Sequence, residues 1–295
     1  MTAVYRELDL AAVLSEYQPA LHVPSLPAVL SEYEQRGVAA RAALPHQRIE
    51  YGAHPDEWLW YVPARAADAP LFVFLHGGYW RRLSADDGCL LSEGAHAQGW
   101  AFASINYTLC PNGPLDLLVD QCRRAVDHLA SGADSLGHDP HRIVISGHSA
   151  GGHLAGMIAV HDPRPAGYVM VSGVFDITPI VHTPINDDAR LSPEDAERLS
   201  PMGRVVARPG VPCITTWGEQ ETSEFRRQSI EWAEQWAAIP QNGPATAIEA
   251  VDRHHFDVIY DLVDPSTTLG GAVSDLVSGR SAELERRHPK NSLHR

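Results

Sequence analysis

The sequence is short of basic residues and cysteine, and it has no long apolar run. Its 295 residues include 23 lysines and arginines against 37 aspartates and glutamates, a formal net charge of −14. There is no basic run except near the C-terminus, so the cationic patch that nucleic acid or an anionic membrane surface would need is missing. A small-molecule partner is expected instead. The four cysteines, Cys89, Cys110, Cys122 and Cys213, lack C-x-x-C spacing, which gives no sign of a disulfide framework or a zinc site. Neither a metal nor a cofactor is expected. No stretch reaches the roughly 18 consecutive apolar residues of a membrane span. The N-terminal MTAVYRELDLAAVLSEY carries acidic residues and lacks the apolar core of a secretion signal. These features together predict a cytoplasmic protein.

Hydrophobic residues make up 44% of the chain and charged residues 20%, enough for one large core and nothing that forces a second. A single domain over residues 1–278 is expected, with 279–295 as a polar, flexible tail. Residues 1–50 read as a helical arm: Leu8, Leu10, Val13 and Leu14, then Leu26, Val29, Leu30 and Tyr33, recur at helix-like intervals, broken by Pro19, Pro24 and Pro27. Residues 48–52 and 57–63 predict antiparallel strands, with Trp58 and Trp60 on one face directed to the core. From residue 71 the pattern alternates. Strands are predicted at 71–75, 101–105, 142–146, 168–172, 211–216 and 245–251, and helices at about 84–98, 115–130, 152–159 and 223–238. This alternation implies an α/β fold with a mostly parallel sheet and helices on both faces. Residues 177–207, interrupted by Pro179, Pro184, Pro193 and Pro201, break the rhythm as a short cap insertion where a pocket roof would sit.

The chain is organised around Gly147-His148-Ser149-Ala150-Gly151. A β-branched run precedes it and a helical pattern follows, the setting in which a serine sits on a sharp strand-to-helix corner with its hydroxyl exposed. Such a serine needs a base and an acid to orient that base, in the chain order serine, acid, histidine. The loop Glu219-Gln220-Glu221 and the loop Asp252-Arg253-His254-His255 supply that order. His255, at the mouth of its loop, is favoured over His254. Glu221, deeper in its loop, is favoured over Glu219 and Asp252, although Glu219 stays open. Ahead of both, Leu75-His76-Gly77-Gly78-Tyr79-Trp80 follows the first central strand. Its paired glycines can turn backbone N–H groups of Gly77 or Gly78 toward a substrate oxygen, alongside the N–H of Ala150. His76 is read as a buttress of that loop. Tyr79, Trp80, Tyr107 and Phe175 follow strand ends and are the candidates for an aromatic-lined pocket.

The motifs HGGYW, GHSAGGHLA, SGVFDITPI, GEQETSEFRRQS and HHFDVI resemble those of the arylformamidase (kynurenine formamidase) family of α/β-hydrolases, near the hormone-sensitive-lipase-like esterases. The likeness runs from residue 51 to the His255 loop. It implies Ser149 as nucleophile, Glu221 as acid, where many members carry aspartate, and His255 as base. It further implies hydrolysis of N-formyl-L-kynurenine to L-kynurenine and formate, or, as the alternative, carboxylesterase or amidase action on another small acyl compound. Homodimers are common in the family.

Overall fold

The computed structural model describes residues 2–279; the predicted C-terminal tail lies, Gly279 apart, outside the described residues. The strands, in chain order, are β1 (Ala3–Tyr5), β2 (Leu8–Asp9), β3 (Gln47–Glu50), β4 (Trp58–Val62), β5 (Ala69–Leu75), β6 (Ala101–Ile105), β7 (His138–His148), β8 (Gly167–Val171), β9 (Cys213–Gly218) and β10 (Ala245–Ala250). The principal helices are α1 (Leu10–Glu16), α2 (Leu26–Ala43), α3 (Leu115–Ser131), α4 (Ala150–His161), α5 (Ser223–Ala237) and α6 (Thr268–Val277).

An eight-stranded sheet carries the fold, in the order β10-β9-β8-β7-β5-β6-β4-β3. Strands β5 to β10 run parallel, whereas β4 pairs antiparallel with β6, and β3 antiparallel with β4. Every residue of β5, APLFVFL, is buried, as a parallel strand covered on both faces requires. Alternate side chains feed two cores. Leu71, Val73 and Leu75 join Ile143, Ile145 and the buried stripe of α3 on one side. Phe72 and Phe74 join Val144, Val169 and the apolar face of α6 on the other. Each large side chain taken from water in this way contributes about 1.5–3 kcal/mol. The chain steps from β5 to β6 on one side and returns to β7 on the other. The carboxyl ends of β5 and β7 therefore flank the crevice where ligands of such sheets bind.

Several expectations are revised. Residues 3–9 form a short antiparallel ribbon, β1 with β2, turned at Arg6 with φ of 49°. The predicted helix at 84–98 is broken into Ala85–Gly88, a 3-10 turn at Cys89–Leu91, and Ser92–Ala97. There Gly88 lies so close to Ser104 and Phe74 that a side chain would not fit, which ties the backbone to the sheet rather than to a regular helix. Trp58 and Trp60 are half-buried rather than in the core. Their rings meet edge to face at 5.8 Å, with the Arg48 and Arg41 guanidinium groups over them, because β4 lies next to the sheet's edge. The segment after His255 is a 3-10 helix, Val258–Val263, and α6 was not anticipated. Among the described residues, no helix is long and apolar enough to cross a membrane.

Candidate active site

Ser149 joins β7 to α4 with φ 55° and ψ −116°, a conformation that costs a non-glycine residue about 1–3 kcal/mol and persists only where its surroundings enforce it. The enforcement is local. The Ser149 N–H donates to the Val171 carbonyl at 2.8 Å. The glycines on either side are sterically required: a Cβ on Gly147 would run into the Gly151 carbonyl, and one on Gly151 into the Leu75 carbonyl. The corner can thus be drawn tight against the ends of β5 and β8.

The acid and the base arrive from the ends of β9 and β10. Glu221 lies just beyond β9, its side chain fully covered. Its Oε1 accepts from the Ser172 hydroxyl at 2.5 Å and from the Gly218 N–H at 2.7 Å, and its Oε2 lies 2.7 Å from Nδ1 of His255. An ionised carboxylate only accepts, so His255 donates through Nδ1–H, leaving Nε2 as the nitrogen that can take a proton. The imidazole is held between the Phe225 ring at 4.5 Å, the His148 ring at 4.8 Å and the Phe256 ring at 5.1 Å. His148 donates through Nε2 to the His255 carbonyl at 2.7 Å. Burial first, and the neighbouring His255 second, push its pKa well below the ordinary histidine value. His148 therefore stays neutral and does not oppose a positive charge on His255. The other two candidates lie elsewhere. Glu219 accepts from the Asp252 N–H at 2.9 Å, and Nδ1 of His254 accepts from the Phe256 N–H at 3.1 Å in its own turn.

The loop after β5 comes within touching distance of the serine. A Cβ on Gly77 would stand 3.2 Å from that of Ser149, and Gly78 has φ of 98°. His76 donates through Nδ1 to the Gly77 carbonyl at 2.9 Å. Because the two halves of a trans peptide point in opposite directions, this bond turns the Gly78 N–H away from His76. Tyr107 stacks on the His76 ring at 4.2 Å and donates to the His76 carbonyl at 2.8 Å. Burial lowers the His76 pKa to about 4, so this buttress is uncharged at neutral pH.

A cavity of about 180 Å³ opens over these groups, with Ser149, His148, His255 and Gly78 in its floor. Of the four aromatic candidates, Tyr79 lines it. Trp80, Tyr107 and Phe175 do not: each is buried, packed on His153, His76 and Trp232 respectively. Their positions after strand ends are as expected, but the rings turn inward. The roof also differs from expectation. Ile185 is the one lining residue from 177–207, whereas Tyr17, Pro19, Leu26, Leu30 and Tyr33 of the N-terminal arm supply most of it. Arg81 and Arg82 stand on the wall as well. The sequence signal for these two was a pair of cations directly after HGGYW in an acidic chain. The arm's contribution had no local signal.

A strained serine between a parallel strand and a helix, with a buried carboxylate–histidine pair on the loops after β9 and β10, defines a serine hydrolase of the α/β-hydrolase fold acting on amide or ester bonds. The comparisons are narrower. The chain is 31% identical over 235 residues to the kynurenine formamidase of Danio rerio, covering 75% of this chain and 78% of that one. It belongs to the kynurenine formamidase family. The BD-FAE family pattern matches residues 59–223. Among solved structures, a protein of Silicibacter sp. TM1040 provisionally designated a thioesterase superposes with a TM-score of 0.78 at 25% identity, over 88% of this chain and 98% of that one. The carboxylesterase EstE1 from a metagenomic library shares the fold with a TM-score of 0.69 at 20% identity, over 88% of this chain and 98% of its own.

Proposed function

We propose that this chain hydrolyses the N-formyl amide of N-formyl-L-kynurenine to L-kynurenine and formate through a formyl-serine intermediate. Ser149 Oγ attacks the formyl carbon as His255 Nε2 takes its proton, and Glu221 steadies the imidazolium through Nδ1–H. The N–H groups of Ala150 and of Gly77 or Gly78 receive the oxyanion. Removing one such donor typically costs about a hundredfold or more in rate. As the tetrahedral intermediate collapses, His255 returns the proton to the departing aryl amine. Water, activated by the same histidine, then attacks the formyl-serine and releases formate. The Tyr79 ring is the proposed aromatic contact.

The observation that carries this reading is the 2.7 Å contact between His255 and Glu221 beneath a cavity whose floor includes Ser149, in a chain of this family. The test is release of formate and kynurenine from N-formyl-L-kynurenine beside hydrolysis of a short-chain p-nitrophenyl ester, with Ser149→Ala as blank. Turnover of the formamide far above the ester supports the reading. Hydrolysis of the ester alone moves the substrate to another small acyl ester or N-acyl aromatic compound, an alternative favoured by the largely apolar roof. The proposed partner is therefore a small aromatic amide or acyl compound, with a homodimer as the proposed assembly.

A further inference from the structure

In a chain of net charge −14, the two charged residues lining the cavity over Ser149, Arg81 and Arg82, are both cationic. They are not equivalent. Arg81 is committed, donating to Asp188 at 2.8 Å. Arg82 is exposed, and its guanidinium has no hydrogen-bond, ion-pair or ring partner among the described residues. Glu221, the carboxylate paired with His255, is fully covered and engaged on both oxygens.

The loop that presents Arg82 is built rather than loose. Gly78, Tyr79, Trp80 and Leu83 have φ of 98°, 49°, 58° and 66°, and such strain survives only where contacts over-determine it. Those contacts are the Arg81 N–H to the Gly78 carbonyl at 3.1 Å, the Trp80 carbonyl receiving the Cys110 N–H at 2.7 Å, and the Tyr79 hydroxyl on the Tyr17 carbonyl at 2.8 Å. The Arg82 backbone is tight against Gly78, which lines the cavity together with Ser149. A strained, braced turn thus leads into Arg82, an exposed arginine that lines the cavity.

We infer that Arg82 is a specificity-determining residue whose guanidinium receives a carboxylate on the leaving group, so that the enzyme selects acyl-aromatic substrates with an acid remote from the scissile carbonyl. A planar fork of donors matches a carboxylate bidentately. A local cationic mouth also offsets the repulsion that an acidic protein exerts on an anion. The inference rests on the serine-hydrolase reading of the same cavity, and a formyl group is too small to carry the acid itself. It does not require the acyl group to be formyl.

The experiment compares kcat/KM for an acid and its matched carboxamide, so that each ratio is its own control. One pair is N-formyl-L-kynurenine and its α-carboxamide; the other is the acetyl ester of 3-hydroxyphenylpropionic acid and that of its amide. Wild type is expected to prefer the acid roughly tenfold or more, mostly through KM, as a charge-assisted pair allows. Arg82→Gln should bring the ratio near one, Arg82→Glu below one, and Arg82→Lys to an intermediate value. A merely damaged fold lowers both members and leaves the ratio intact. A ratio unchanged in Arg82→Gln, or no preference in wild type, overturns the inference. If the formamides are inert while the ester pair shows the preference and its loss, the formamidase reading falls and the role of Arg82 stands. If the formamides react with a ratio independent of Arg82, the reverse holds.

Discussion

The floor and the roof of the cavity are made by different means. The floor is local: Ser149, Glu221 and His255 each sit within a few residues of a strand's carboxyl end, where hydrogen bonds to adjacent backbone fix them. The roof is assembled at long range. Tyr17 donates to Glu224 at 2.6 Å and Tyr33 to the Phe256 carbonyl, joining residues more than two hundred positions apart. The floor tolerates little change because steric necessity defines it, whereas the roof can vary at modest expense. The proposed chemistry lies in the floor, and the arm covers it.

The largest effect should come from the floor. Ser149→Ala removes the nucleophile and is expected to cut turnover at least about a thousandfold, read as product release by wild type and by the variant, each over an enzyme-free blank, in the formamide and ester assays. Glu221→Gln keeps the shape but cannot balance an imidazolium or hold the Nδ1–H tautomer. A loss of about a hundredfold to ten-thousandfold in kcat is expected, and turnover near wild type would remove Glu221 from the acid's role.

Stability should fall with acid in a definite window. Burial lowers the pKa of His76 and His153 to about 4 and that of His148 well below 6.5. Since the unfolded chain binds these protons first, stability is complete above pH 6.5 and drains as pH falls toward 4. The slope is about 1.4 kcal/mol per pH unit for each histidine titrating. Denaturant melts at pH 7, 6 and 5 measure it, and a flat profile would show that the native state binds these protons as readily as the unfolded chain.

The smallest effect should be on the roof. Tyr17→Phe deletes the hydroxyl that donates to Glu224 and accepts from Gln228 at 2.8 Å. A stability loss of about 1–3 kcal/mol is expected from the buried group left unpaired, with KM shifted more than kcat. A change of the Ser149→Ala size would erase the distinction between floor and roof.

The same division explains how much could be read from the chain. The strand-corner-helix setting of Ser149 was visible because its causes, a β-branched run and glycines two residues to either side, are adjacent in sequence. The loops of Glu221 and His255 were visible because parallel strands put successive loops on one edge. The direction of Trp80, Tyr107 and Phe175 was not visible: aromatic character after a strand end fits a cavity wall and a core equally, and His153, His76 and Trp232 claimed them. The arm's role was invisible because no period within residues 1–50 records that Tyr17 meets α5 or that Tyr33 meets the loop of the base. The ribbon at the N-terminus escaped notice because its strands are too short to alternate.

The arm does more than cover the cavity. Glu16 accepts from the Thr222 hydroxyl and from the Glu224 N–H at 2.8 and 2.9 Å, while Tyr33 holds the carbonyl of Phe256. These anchor points adjoin Glu221 and His255 in the chain. A guest too bulky for the space must therefore pull on the very loops that bring acid and base into register. Oversized compounds would be rejected twice, once by poor fit and again by a slackened proton relay, so that discrimination by size registers in turnover as well as in affinity.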